Sequence, residues 1–110
     1  MCLVFSIIYL IGVFNGFSIM KFIFAEVAHT DNGVTCSERG FKDLSTAQEC
    51  SDAVSYAKTF NGNANYWNEE SSSNYPKGCY IFTSGNMFYN THSIGEKDSS
   101  AASICTKGNT

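Results

Sequence analysis

Positive charge is scarce in this sequence and is nowhere concentrated. Seven Lys and Arg residues stand against ten Asp and Glu residues, which gives a net charge of −3 and an isoelectric point near 5.2. The lysines beyond residue 40 are separated from one another, at positions 42, 58, 77, 97 and 107. Because nucleic-acid binding needs a concentrated basic surface, the composition excludes that class of partner.

Residues that perform catalysis or bind metals are equally sparse. No two cysteines lie within ten residues of each other, so the paired short spacing of zinc sites is missing. Of the two histidines, His29 falls in a predicted linker, and His92 is placed where it can meet Cys79 or Cys105. We expect those cysteines in disulfides, where the sulfur is no thiolate. No serine stands in a nucleophile-elbow motif. We therefore expect a non-enzyme without a metal or cofactor.

Charge is absent from the first twenty residues, MCLVFSIIYLIGVFNGFSIM, and Lys21 follows them. Such an apolar run is typical of a secretory signal or of one membrane span. We predict a signal peptide over residues 1–25, with cleavage after Ala25 or Ala28. An uncleaved membrane anchor is the alternative, in which case the rest of the chain is an ectodomain.

The remaining cysteines fit an oxidising compartment. Without residues 1–25, about 85 residues remain, a size at which a domain is often cross-linked. Cys36, Cys50, Cys79 and Cys105 form an even set, which indicates two disulfides and an extracellular location. Four cysteines allow three connectivities. We favour Cys50–Cys79, which ties a predicted helix to a predicted hairpin, and Cys36–Cys105, which joins the ends of the domain.

The clearest predicted element is an amphipathic helix over residues 43–62, DLSTAQECSDAVSYAKTFNG. Ser45 followed by Gln48 predicts a capping box, and Asn61-Gly62 predicts a left-handed stop. Apolar residues recur at spacings of three and four along one face, at Ala47, Cys50, Val54 and Ala57. Cys50 is therefore expected to point into the domain.

The stretch YPKGCYIFTSGNMFYN, residues 75–90, predicts a β-hairpin. Its strands are expected over residues 79–83 and 87–90, around a Ser-Gly-Asn turn. Shorter strands are expected at 63–67 and 104–105, and polar loops at 68–74 and 91–103. The predicted fold class is α+β, with one amphipathic helix packed on a small antiparallel sheet. The module spans residues 34–106, between a linker at 26–33 and a tail at 107–110.

Aromatic residues are the remaining lead to a function. Rings can stack on sugars and are the usual anchors of protein interfaces. The candidate binding residues are Tyr66, Trp67, Tyr75, Tyr80 and Asn90. Ile81, Phe82 and Phe88 are expected to pack in the core, because a small domain with few Leu and Ile must fill its interior with rings.

These observations favour a small, monomeric, secreted binding module. Its expected partner is an extracellular protein or a carbohydrate, with no membrane contact beyond the N-terminal segment. A secreted effector of the defence or toxin type is the alternative, although its strongly cationic form does not suit the acidic isoelectric point. An extracellular enzyme is a third, weaker alternative.

One pattern of residues resembles a known kind of module. It comprises Cys36, Glu49-Cys50 with Ala53, Tyr75-Pro76-x-Gly78-Cys79-Tyr80, Phe88-Tyr89-Asn90 and Ile104-Cys105. This pattern resembles short cysteine-framed modules of secreted proteins and ectodomains. It is more distantly similar to PAN/apple-type domains, in which a helix is bridged to a small antiparallel sheet. The resemblance implies binding of proteins or carbohydrates and no catalysis. The predicted helix carries one cysteine where PAN/apple domains commonly have two.

Overall fold

The computed structural model describes residues 27–107, so the predicted signal peptide lies outside the described residues. These residues form a 3-10 turn, two short helices and six strands. The turn is Ser37–Arg39, and the helices are α1, Ala47–Asp52, and α2, Val54–Ala57. The strands are β1 Val27–His29, β2 Lys42–Asp43, β3 Asn65–Glu70, β4 Pro76–Phe82, β5 Asn86–Gly95 and β6 Ala101–Thr106.

All six strands belong to one mixed sheet in the order β1-β6-β4-β5-β3, with β2 also paired to β6. Strand β3 runs parallel to β5, and the other pairings are antiparallel. Strands make up 42% of the described residues and helical turns 16%, so the predicted helix on a small antiparallel sheet is wrong. The expected linker at 26–33 instead supplies β1, which pairs with β6 at the edge of the sheet.

The predicted long helix is divided into two short ones. Ala53 lies between them with ψ near 0°, and its amide is shared by the carbonyls of Glu49 and Cys50. The cap also lies one residue beyond the predicted one. The Thr46 hydroxyl accepts from the Glu49 amide at 3.0 Å, and the Glu49 carboxylate accepts from the Ser45 amide at 2.7 Å. Thr46 with Glu49 has the same spacing as the predicted pair and supplies a charged acceptor.

The two helices cover one face of the sheet and enclose the core there. Cys50 is fully buried and forms a disulfide with Cys79 of β4. Ile81, Met87 and Ile104 project from the sheet into the same core. The disulfide therefore holds α1 against the centre of the sheet.

The second disulfide lies on the opposite face. Cys105 directly follows the core residue Ile104 in β6, and successive side chains of a strand point to opposite faces. Cys105 is bonded to Cys36, next to the 3-10 turn, and both cysteines are buried. The two disulfides of the structure are thus the pairs favoured from the sequence, and each lies on its own face of the sheet.

The predicted hairpin is confirmed as β4 and β5. Tyr80 pairs with Phe88, Ile81 pairs with Met87, and Gly85 in the turn has φ of +105°. Both strands extend further than predicted at the end away from the turn. There Pro76 pairs with Gly95, and the pairing shifts between Pro76 and Gly78.

Candidate functional site

A cluster of five rings lies on the face of the sheet opposite the helices. Alternation along β4 directs Tyr80 and Phe82 to this face, and pairing with Tyr80 places Phe88 beside them. Tyr75, just before β4, and Trp67 of β3 complete the group. We refer to Trp67, Tyr75, Tyr80, Phe82 and Phe88 as the aromatic face.

Three of these rings form a row. Tyr75 stacks on Tyr80 at 5.9 Å between ring centroids, and Tyr80 stacks on Phe88 at 5.8 Å, with interplanar angles of 21° and 23°. Phe82 lies within 6.0 Å of all three rings and at 75° to 89° to their planes. Offset-stacked and edge-to-face pairs are the favourable ring geometries. The cluster is therefore held together by its own contacts.

Tyr80 stands at the centre of the cluster and is fully buried. Its hydroxyl donates to the Glu70 carboxylate of the edge strand β3. Burial raises the pKa of Tyr80, and the hydrogen bond to Glu70 raises it further. Tyr80 therefore remains a neutral donor at physiological pH and fixes the position of Glu70.

Trp67 is the accessible ring of the aromatic face. The β3–β5 register passes from Tyr66 opposite Met87 to Asn68 opposite Phe88, which leaves Trp67 on an irregularity of the strand. Its ring lies 6.2 Å from Phe88 at 41°, and 63% of its surface is exposed. Burying a large apolar side chain stabilises a protein by roughly 1.5–3 kcal/mol, and this position forgoes most of that gain.

Side-chain amides lie beside the rings. Asn65 donates to the Asn86 side-chain oxygen at 3.2 Å, and the Asn68 side-chain oxygen accepts from the Glu69 amide at 2.8 Å. Within residues 27–107, the side-chain nitrogens (Nδ2) of Asn68 and Asn86 have no hydrogen-bond partner. Pairing with β5 places Asn68 and Glu70 on the same face as Phe88. Rings, free donors and a carboxylate therefore share one surface.

The five candidate residues predicted from sequence fall in different places. Trp67 is exposed and Tyr75 half-buried, both on the aromatic face, whereas Tyr80 lies there but is buried. Tyr66 packs against the core on the helix side. Asn90 is 1% exposed, and its side chain is occupied by the backbone of the preceding loop.

Phe82 and Phe88, which the sequence predicts as core residues, are only half-buried on the aromatic face. The alternation that places Tyr80 on one side of the hairpin applies to Phe82 as well, and the hairpin register adds Phe88. That pattern was the available signal for both residues.

A second surface feature is a polar cleft of about 470 Å³ near the outer end of the hairpin. Two ion pairs lie along it, Lys97 with Glu38 at 2.7 Å and Lys77 with Asp43 at 3.7 Å. The hydrogen bond from Lys97 lowers the pKa of Glu38 to about 2, whereas burial raises the pKa of Asp43. Four of the five charged side chains that line the cleft thus already neutralise one another in pairs, and Glu96 is the fifth.

Both histidines have contacts within the fold. The Nδ1 atom of His92 accepts from the amides of Ile94 and Gly95, at 3.2 and 2.9 Å. His29 lies 2.8 Å from the Tyr56 hydroxyl and stacks on Phe60 at 3.6 Å. In the part of the chain that the structure describes, no group of three His, Cys, Asp or Glu residues is arranged to hold a metal.

Comparison with known proteins adds no relative. No protein-family model matches the chain, and no curated protein or solved structure is detectably similar to it. Between residues 27 and 107, no helix is long and apolar enough to span a membrane. The two disulfides indicate an extracellular or secreted environment.

Proposed function

We propose that this protein is a small, secreted, non-catalytic binding module that recognises an extracellular protein or glycan through its aromatic face. One observation carries the proposal: Trp67, the only tryptophan of the chain, is 63% exposed beside a packed ring cluster. An irregular strand position re-aims a side chain, and such positions are common next to functional sites. A ring held in solvent by a rigid neighbour is suited to bind a partner without reorganisation.

Secretion is supported by two independent features of the chain. The uncharged first twenty residues are typical of a signal peptide, and both disulfides need an oxidising compartment. A non-catalytic role is supported by the use of the reactive side chains. Four cysteines form disulfides, and His92 holds backbone amides.

The test is a binding screen in which exposed apolar residues away from the aromatic face serve as control positions. The full chain, expressed in a secretory host, is screened against arrays of synthetic glycans and of extracellular protein domains. We expect at least one ligand whose binding is lost in Trp67→Ala and Phe88→Ala. Phe60→Ala and Ile94→Ala are the controls, because Phe60 is 38% and Ile94 78% exposed and neither belongs to the aromatic face.

Two outcomes contradict the proposal. One is the absence of any ligand on either array while circular dichroism shows a folded protein. The other is a ligand whose binding survives both aromatic-face variants but is lost in a control variant.

A further inference from the structure

The electrostatics of the aromatic face restrict its ligand. The negative charges of the Glu70 and Asp98 carboxylates both raise the pKa of the Tyr80 hydroxyl. The register places Asn65, Asn68 and Glu70 of β3 and Asn86 and Phe88 of β5 on this side, and none of them is a cation. A phosphate, sulfate or sialic acid would therefore meet negative charge here, and β3 and β5 contribute no Lys or Arg on this side to compensate it.

The composition of the surface favours a sugar over a protein. Protein interfaces combine aromatic residues with Arg and Met. The strand residues on this side of β3 and β5 include neither, since Met87 points into the helix-side core. Asparagine amides fill the positions around Phe88, and they offer donors to hydroxyl oxygens.

The unpartnered atoms match a saccharide in detail. The side-chain nitrogens of Asn68 and Asn86 lack a partner within the described residues and can donate, and Glu70 retains a carboxylate oxygen that can accept. The negative face of an aromatic ring attracts the weakly positive C–H bonds of a pyranose. Apolar rings with a few placed polar groups are the usual composition of a small-ligand site.

We infer that the aromatic face binds a neutral oligosaccharide, with Trp67 stacking on a pyranose ring and Asn68 and Asn86 donating to its hydroxyls. This inference rests on the proposed function and specifies the ligand class. Glu70 is held by Tyr80 so that its second oxygen can accept from a sugar hydroxyl.

The experiment uses the secreted full chain and defined probes. Cellohexaose, chitohexaose and mannohexaose are the neutral probes, and a heparin hexasaccharide and sialyllactose are the anionic ones. Binding is followed by the fluorescence of the single tryptophan, so any change reports on Trp67. Calorimetry and NMR shift mapping provide the readout for variants that lack this residue.

We expect at least one neutral probe to shift the Trp67 emission and to bind at least tenfold more tightly than either anionic probe. Trp67→Ala should weaken that binding at least tenfold. Asn68→Asp and Asn86→Asp keep the side-chain shape but replace a donor with an acceptor, and each should weaken it about fivefold. Phe60→Ala should leave it unchanged within twofold.

Failure of this inference is distinguishable from failure of the proposed function. If no neutral saccharide shifts Trp67, or if an anionic probe binds most tightly, the inference is overturned. The proposed function still holds if a protein ligand then requires Trp67 and Phe88. If neither saccharide nor protein ligands lose affinity in the Trp67 and Phe88 variants, both proposals are wrong.

Discussion

Asn90 and Trp67 were both predicted as binding residues, but Asn90 is buried and hydrogen-bonded whereas Trp67 is exposed. The Asn90 oxygen accepts from the amides of Ser72 and His92, and its nitrogen donates to the carbonyls of Ser72, Tyr75 and Pro76. These five contacts fold the loop that delivers Tyr75 to the aromatic face. Asn90 therefore supports the site by holding the loop that precedes Tyr75, whereas Trp67 is available to a ligand.

Asn90→Ala should destabilise the protein strongly. It removes one partner from several backbone groups, and each buried unsatisfied group costs about 1–3 kcal/mol, so we expect a total loss of about 3 kcal/mol. Urea denaturation followed by circular dichroism measures it. Asn68→Ala is the matched control at an exposed position and should change stability by less than about 0.5 kcal/mol. Equal effects of the two variants would contradict the role of Asn90.

Single-residue roles were only partly predictable from sequence. Buried and exposed asparagines look alike in a sequence, so nothing local separated Asn90 from Asn68. The capping residue was misplaced by one position because Ser45 and Thr46 both suit an N-cap, and only the Glu49 carboxylate decides between them. The cysteine pairing was easier to predict, because Cys50 was expected to face inward and Cys79 was expected in a strand that the helix packs on.

At the scale of elements, the hairpin was predictable, the outer strand β3 was predicted only in part, as 63–67, and the outer strands β1 and β2 were not predicted. Hydrophobic alternation and a Ser-Gly-Asn turn are encoded within a few residues of β4 and β5. Strand β3, NYWNEE, is mostly polar and is held by backbone pairing with β5. Its sequence therefore shows no hydrophobic periodicity that would predict a strand. The second half of β5 is polar for the same reason. Nothing in the sequence around Ala53 marks the interruption between α1 and α2.

Gly85→Ala tests the turn that connects the hairpin. Gly85 has φ of +105°, and a Cβ atom there would lie 2.6 Å from the Asn63 carbonyl carbon. The variant suffers backbone strain and a clash with the segment that precedes β3, so we expect a loss of at least about 3 kcal/mol. Thermal unfolding measured by circular dichroism gives the value.

Gly40→Ala is the control for that experiment. Gly40 also has a positive φ, +78°, but a Cβ atom there meets nothing within 4 Å. We expect this variant to show the backbone strain alone, about 1 kcal/mol. If both substitutions have the same cost, the turn does not pack against the residues before β3 as the structure shows.

For the whole molecule, each of the two disulfides stabilises the layer on one face of the sheet. Cys50–Cys79 fixes α1 and α2 to the helix side, and Cys36–Cys105 fixes the segment after β1 to the other side. The helices contain six and four residues, lengths at which an isolated helix is unstable in water. Each covering layer therefore depends on its own cross-link.

Replacing each disulfide separately by alanines should reveal this division. The bridged cysteines are separated by 69 residues in Cys36–Cys105 and by 29 in Cys50–Cys79. Loop-closure entropy then gives losses of about 4.4 and about 3.6 kcal/mol, so the two variants should have similar urea midpoints. Their local effects should differ. Without Cys50–Cys79, hydrogen exchange should accelerate first in α1 and α2, and without Cys36–Cys105 it should accelerate first in β1 and the 3-10 turn.

Full reduction supplies the decisive comparison, because it converts both disulfides to thiols and so removes both constraints without replacing any residue. The combined loss of about 8 kcal/mol is within the range of the whole stability of a small domain, so the reduced protein should show no cooperative melting transition. Trp67 is no guide in this experiment, since its ring is already exposed in the folded state. Near-ultraviolet circular dichroism reports instead on the packed rings of Tyr75, Tyr80 and Phe88. A reduced protein that kept both this signal and its melting transition would show that the sheet is stable without its cross-links.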